Sequence, residues 1–205
     1  MEQNKELSAG ESLALITETL NNSRKDILRS RAKFYVLWGA LLVVFSLVVY
    51  ILWKTTGHAA WNNLWFAMPL IGLPLGKWIG KNEEIVRTDN TISRITQGIW
   101  TTFCIFAISV ALFNLIFSVV NTNPIGAIAV GTSLSAQIIL LFGMAEAISG
   151  IALKNLTIKI AGFITGIGGL ALYYGIGLNE EQLLLFTFAG LVLLCTGLLV
   201  KRQYK

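Results

Sequence analysis

The chain has 205 residues, of which 55% are hydrophobic and only 13% charged, with a net charge of +5 and a mean hydropathy of +0.68. Soluble domains carry about 25% charged residues, so a water-soluble fold is excluded: its surface would be too apolar. The basic excess does not point to nucleic acid, because no basic stretch is interleaved with aromatics as a nucleic-acid groove requires.

In chain order, Ser8 and Glu11 fit a capping box, in which each side chain satisfies a free backbone N–H. The pattern predicts a cytoplasmic amphipathic helix within residues 1–33, running from about Ala9 to Arg31. Leu13, Ile16, Leu20 and Ile27 form one apolar stripe at helical spacing. Glu11 and Glu18 come early and Arg24, Lys25, Arg29 and Arg31 late, which suits the helix dipole. Two uses compete for this helix. It anchors the first span at the headgroups, or its stripe docks a cytoplasmic protein partner.

Six apolar stretches follow, at 34–53, 61–80, 99–120, 125–152, 160–178 and 183–200. A helical crossing needs about 20 apolar residues, and helices satisfy their own backbone groups in lipid. The expected fold is therefore all-α, a polytopic membrane protein of six transmembrane helices, ending in a basic tail at 201–205. Tyr35 and Trp38 at one end of the first span, and Tyr50 and Trp53 at the other, read as an aromatic belt. His58, the only histidine, falls in the following loop. The second span holds Pro69 and Pro74, which tend to kink a helix, a Gly72/Gly76 pair suited to close helix approach, and Lys77 near its end. Residues 81–98 read as a polar cytoplasmic connection. Asn121-Thr122-Asn123-Pro124 reads as a tight external turn, and the fifth span is glycine-rich, with Gly162 and Gly166 spaced for packing.

With six crossings, every Lys and Arg except Lys54 lies on one side. The positive-inside rule makes that side cytoplasmic and places both termini there. No cleavable signal precedes Phe34. Cys104 and Cys195 sit in apolar spans on the reducing side and read as small buried hydrophobes, with no disulfide. No Cys/His cluster offers a zinc or iron–sulfur ligand set, so neither metal nor other cofactor is expected.

Glu146 is the one acidic residue inside a span, and such a residue is a functional candidate by default. Its helical face includes Ser135, Gly143, Ser149 and Gly150, so it is expected to face the bundle, where Lys77 is a candidate ion-pair partner. The same carboxyl reads equally as a structural interhelical bond, a wetted interfacial group, or a proton- or cation-coupling site. Asn114 and Gln137 read as interhelical hydrogen-bonding groups. Gly131-Thr132-Ser133 and Ser135 faintly resemble an intramembrane serine nucleophile, but such a serine needs a base within reach, and His58 is in an external loop. There is no HExxH, paired aspartates or P-loop, so no enzymatic activity is expected.

Glu11-Ser12-Leu13-Ala14-Leu15-Ile16, a basic turn, and Phe34-Tyr35-Val36-Leu37-Trp38-Gly39 resemble the start of a group of small bacterial multi-span membrane proteins without an assigned activity. The resemblance covers about the first 50 residues and implies a bacterial inner-membrane location, with no site residues. The leading functional expectation is a non-enzymatic membrane binding or regulatory module docking a partner through its N-terminal helix. The alternative is a small transporter or channel using Glu146. The small-residue faces also permit association with a second copy.

Overall fold

A computed structural model describes residues 8–81, 91–120, 134–176 and 179–204. Among these the fold is all-helical, and five helices are long and apolar enough to cross a membrane. Helix α1 spans Ala9–Thr56. A 3-10 helix, Ala59–Phe66, leads into α2, Ala67–Lys81. Helix α3 is Thr91–Val120 and α4 is Leu134–Ala152. Helix α5, Leu156–Phe163, passes through a π-helical turn, Ile164–Gly168, into α6, Gly169–Gly175. A second 3-10 turn, Asn179–Gln182, opens α7, Leu183–Gln203.

Helix α1 begins at the expected capping box: Glu11 N–H donates to Ser8 Oγ at 3.2 Å, and Ser8 N–H donates to Glu11 Oε2 at 2.8 Å. It does not stop at Arg31. The amphipathic segment and the first span are one helix of 48 residues, because a change from polar to apolar side chains removes no backbone hydrogen bond. Between Glu11 and Trp38 it holds neither proline nor glycine, and such breakers cause most sharp kinks. It ends at Gly57, whose φ of 74° is the left-handed conformation glycine adopts without a Cβ penalty.

Two backbone-to-backbone seams organise the helices. Helices α1 and α7 run antiparallel. A Cβ on Gly39 would lie 2.6 Å from the Leu194 backbone, and one on Gly197 would lie 2.7 Å from Val36 N. Ser46 and Thr187 hydroxyls pair across this seam at 2.8 Å. Helices α4 and α5 form a tight antiparallel hairpin. A Cβ on Gly150 would meet Lys159 N at 2.2 Å, and one on Gly162 would meet Ala147 N at 2.2 Å. Its turn is held by Asn155, whose Oδ1 accepts from Ile158 N–H. The end of α7 secures the same turn, with Gln203 Nε2 donating to Thr157 Oγ1 at 2.9 Å.

The second apolar stretch departs most from expectation. Instead of one continuous α-helix it is a 3-10 helix followed by a 15-residue α-helix, the latter about 22 Å long at 1.5 Å per residue. Pro69 lies in the first turn of α2, where its missing N–H costs nothing, and that position suits α-helix starting at Ala67. Helix α2 packs back along α1, Gly72 under the Trp38 ring and Gly76 against Phe34. Helix α3 starts at Thr91, eight residues before the expected span, and takes Ile92 and Thr96 into the core. Residues 82–90 and the 121–124 turn, with 125–133 of the fourth stretch, lie outside the described residues.

The core contains Leu28, Tyr35, Ile92, Leu153, Ile158 and Val200, with Trp38, Trp100 and Phe142 packed on it. Tyr35 is thus buried in this cluster, and Trp38 packs partly on it. Cys104 and Cys195 are free and exposed on the helix surfaces, which corrects their expected burial.

Two outcomes are expected. Gly162→Ala forces a Cβ into the Ala147 backbone and lowers thermal stability in detergent, since overpacking costs about 1–3 kcal/mol. Gly98→Ala, with nothing within 4 Å, leaves it unchanged or higher. Second, hydrogen bonds from Ser8 hold the Glu11 carboxyl below its ordinary range, at a position well outside the crossing segment. A lowered carboxylate stabilises the fold above its unfolded pKa and loses that effect as pH falls through the folded value. Amide protection factors in the first turn of α1, corrected for the pH dependence of intrinsic exchange, therefore fall on acidification, and Glu11→Gln, which removes the titrating group, abolishes that loss.

Candidate functional site

Two places stand out. The first is the Glu146 carboxyl. Four small or polar residues share its face of α4, and Gly143, Ser149 and Gly150 are buried beside it while Ser135 is half-buried. Glu146 itself is 0% exposed. The face follows from the sequence: glycines allow α5 to approach closely, and the carboxyl is trapped in the resulting seam. Thr165, in the π-helical turn, donates from Oγ1 to Glu146 Oε2 at 3.2 Å. Among the described residues Glu146 Oε1 has no hydrogen-bond partner, and neither does the hydroxyl of Tyr35, 4% exposed on α1. Tyr35 lies within electrostatic reach of both Glu146 and Arg31. The Tyr35 ring also faces Trp100 at 6.5 Å, and Trp100 and Phe103 meet Phe142, one turn before Glu146.

The structure does not bring Lys77 to this carboxyl. Lys77 is exposed on α2, which packs on the Phe34 and Trp38 side of α1, and Thr165 takes the place of the expected ion-pair partner. Gln137 is exposed on α4, off the Glu146 face. The Asn114 side chain and the Gly131-Thr132-Ser133 segment lie outside the described residues. Tyr35 and Thr165 were not singled out by sequence. A tyrosine near a span end reads as a belt residue, and nothing in Phe163–Gly168 announces a π-helical turn.

The second place is the start of α1. Residues 13–22 are exposed on every face, with Leu13 66%, Ile16 56% and Leu20 44% exposed. Ile27 belongs to the same helical stripe but packs inward against the core, because the end of α7 reaches that level through Val200 and Tyr204. The stripe thus divides into a free part and a part covered by the chain itself. Lys54, near the C-terminal end of α1, donates to the Tyr50 hydroxyl at 2.7 Å and feels Glu181 and Glu180.

Among the described residues no group of three His, Cys, Asp or Glu could hold a metal. No known protein family, curated protein or solved structure matches this chain.

A valine at position 165 keeps the shape of threonine and removes the donor to Glu146. Leaving a buried group unsatisfied costs about 1–3 kcal/mol. Thr165→Val is expected to lower thermal stability in detergent, and Thr165→Ser to restore most of it.

Proposed function

We propose that this chain is a non-enzymatic membrane binding module that docks a cytoplasmic protein partner through the projecting start of α1. The observation that supports this is the exposure of residues 13–22 on a helix that continues into an apolar span. At 48 residues α1 is about 72 Å long, against about 30 Å of hydrocarbon. A helix collinear with a crossing segment carries Leu13, Ile16 and Leu20 away from the headgroups instead of laying them on the surface. Isolated helices shorter than about 12–15 residues are marginal in water, so a partner groove receiving this apolar stripe would stabilise it.

In this reading six segments cross a bacterial inner membrane, with residues 59–81 as the second crossing. Support comes from charge. Five crossings would put the termini, both basic, on opposite faces, whereas six put all Lys and Arg but Lys54 on one face. The close packing of α2 antiparallel on α1 favours the even count.

Replacing Leu13 and Leu20 together with Asp is expected to abolish co-purification of the partner from native membranes while leaving insertion intact. Unchanged partner recovery removes the docking reading. For topology, single cysteines are placed at Glu2, His58 or Lys205 in a chain with Cys104 and Cys195 replaced by Ser. An impermeant thiol reagent outside the cell should label only the His58 position; labelling at one terminus would require an odd number of crossings.

A second reading, a small transporter or channel using Glu146, is supported by the unpartnered Oε1 of that buried carboxyl. Proteoliposomes carrying Glu146→Gln should then dissipate a pH gradient more slowly than wild type. Equal rates remove Glu146 from that role.

A further inference from the structure

We propose that Glu146 is a reversible proton-binding site set in the α4–α5 seam and reached from the surface past Arg31 and Tyr35. The proposal deepens the transport reading by naming the ligand, and it rests on the same carboxyl.

Three observations carry it. First, Glu146 is 0% exposed and among the described residues its Oε1 is unpartnered, and the Tyr35 hydroxyl, buried and likewise unpartnered there, lies within electrostatic reach. Native structures pair nearly all buried polar atoms, so two orphans in one interior region call for an explanation. Second, the backbone that holds Thr165 against Oε2 is a π-helical turn. Such turns are uncommon and occur often at functional sites. Third, the seam is closed by backbone contact one turn before Glu146, where a Cβ on Gly143 would run into the Gly166 backbone. Hard cations such as calcium take about 6–8 oxygen ligands, whereas this niche supplies one carboxyl and two hydroxyls. A proton needs no cavity and one lone pair, which Oε1 has.

The groups around the carboxyl are few. Thr165 comes from the π-helical turn and Tyr35 from α1, with the half-buried Arg31 one turn earlier. From α5, Lys159 lies with its backbone against Gly150, one turn after Glu146. Helix α3 contributes the rings of Trp100 and Phe103, and α6 and α7 meet α4 through Gly169 and Ala189 at Ile139. The proton comes from water at the Arg31 end, forms an O–H bond at Oε1, and leaves by the same route. No other bond breaks. Tyr35 and Thr165 are positioning residues: Thr165 fixes Oε2 and leaves Oε1 to the proton, and Tyr35 presents a hydroxyl on the path between Arg31 and Oε1.

The test is infrared spectroscopy of the full chain in lipid vesicles between about pH 5 and pH 10, a range that brackets perturbed carboxyls. The expected result is a carboxylic-acid C=O band that disappears as pH rises and is absent in Glu146→Gln. Thr165→Val removes a donor to the charged form, so its band should persist to higher pH. Tyr35→Phe should displace the midpoint or slow its exchange. If Glu146→Gln does not insert, the Thr165→Val shift assigns the band instead. The proposal is overturned if no titrating band is lost in Glu146→Gln or moved in Thr165→Val, whether the carboxyl stays charged or stays protonated throughout. A titrating band with gradient dissipation equal in wild type and Glu146→Gln would sustain the proton site and remove transport.

Discussion

Direct contact between helix backbones, permitted by glycine, is the constraint on which the rest of this structure depends. In lipid the hydrophobic effect does not drive helices together, so close van der Waals packing of small residues does much of that work. Gly39, Gly190 and Gly197 let α1 and α7 touch, and Gly143, Gly150 and Gly162 do the same for α4 and α5. Both seams leave polar groups inside. The first holds the Ser46–Thr187 pair, fully matched. The second holds Glu146, matched at one oxygen and not the other. That asymmetry distinguishes a structural hydrogen bond from a candidate site.

The two ends of α1 are tied to this architecture in different ways. From Leu28 onward the helix is braced by α7, and Tyr35 is carried into the interior, within reach of Glu146. Over residues 13–22 no described part of the chain covers it. One continuous helix thus links an exposed apolar stripe to the neighbourhood of a buried carboxyl. A partner on the stripe and a proton on Glu146 would bear on the same rigid element, through Arg31 and Tyr35, although each proposal stands without the other.

Legibility from sequence followed physical range. The capping box, the helical class and the inward face of Glu146 depend on local spacing, and the sequence carries them through Ser8/Glu11 and through Gly143, Ser149 and Gly150. Element ends were harder. Polarity changes at Arg31–Phe34 and at Gly98–Ile99 suggested boundaries that the backbone ignores, since a helix ends where its hydrogen bonds fail and not where its surface changes. Pro69, expected to kink the second span, falls in the first turn of α2, and Pro74 lies inside that helix. The partner of Glu146 was not legible at all. Thr165 is nineteen residues away, and the π-helical turn that presents it depends on how α5 packs on α4. Lys77, attractive for its charge, sits on a helix that faces another side of α1.

Solid-state NMR of the chain in lipid bilayers, with isotopically labelled glycine, would test the central seam most directly and without substitution. Backbone contact predicts a strong dipolar cross-peak between the Cα atoms of Gly143 and Gly166, and another from Gly162 to the labelled backbone of Ala147. If both are absent while the sequential Gly168–Gly169 cross-peak remains, the two helices do not touch, and the burial of Glu146 falls with them.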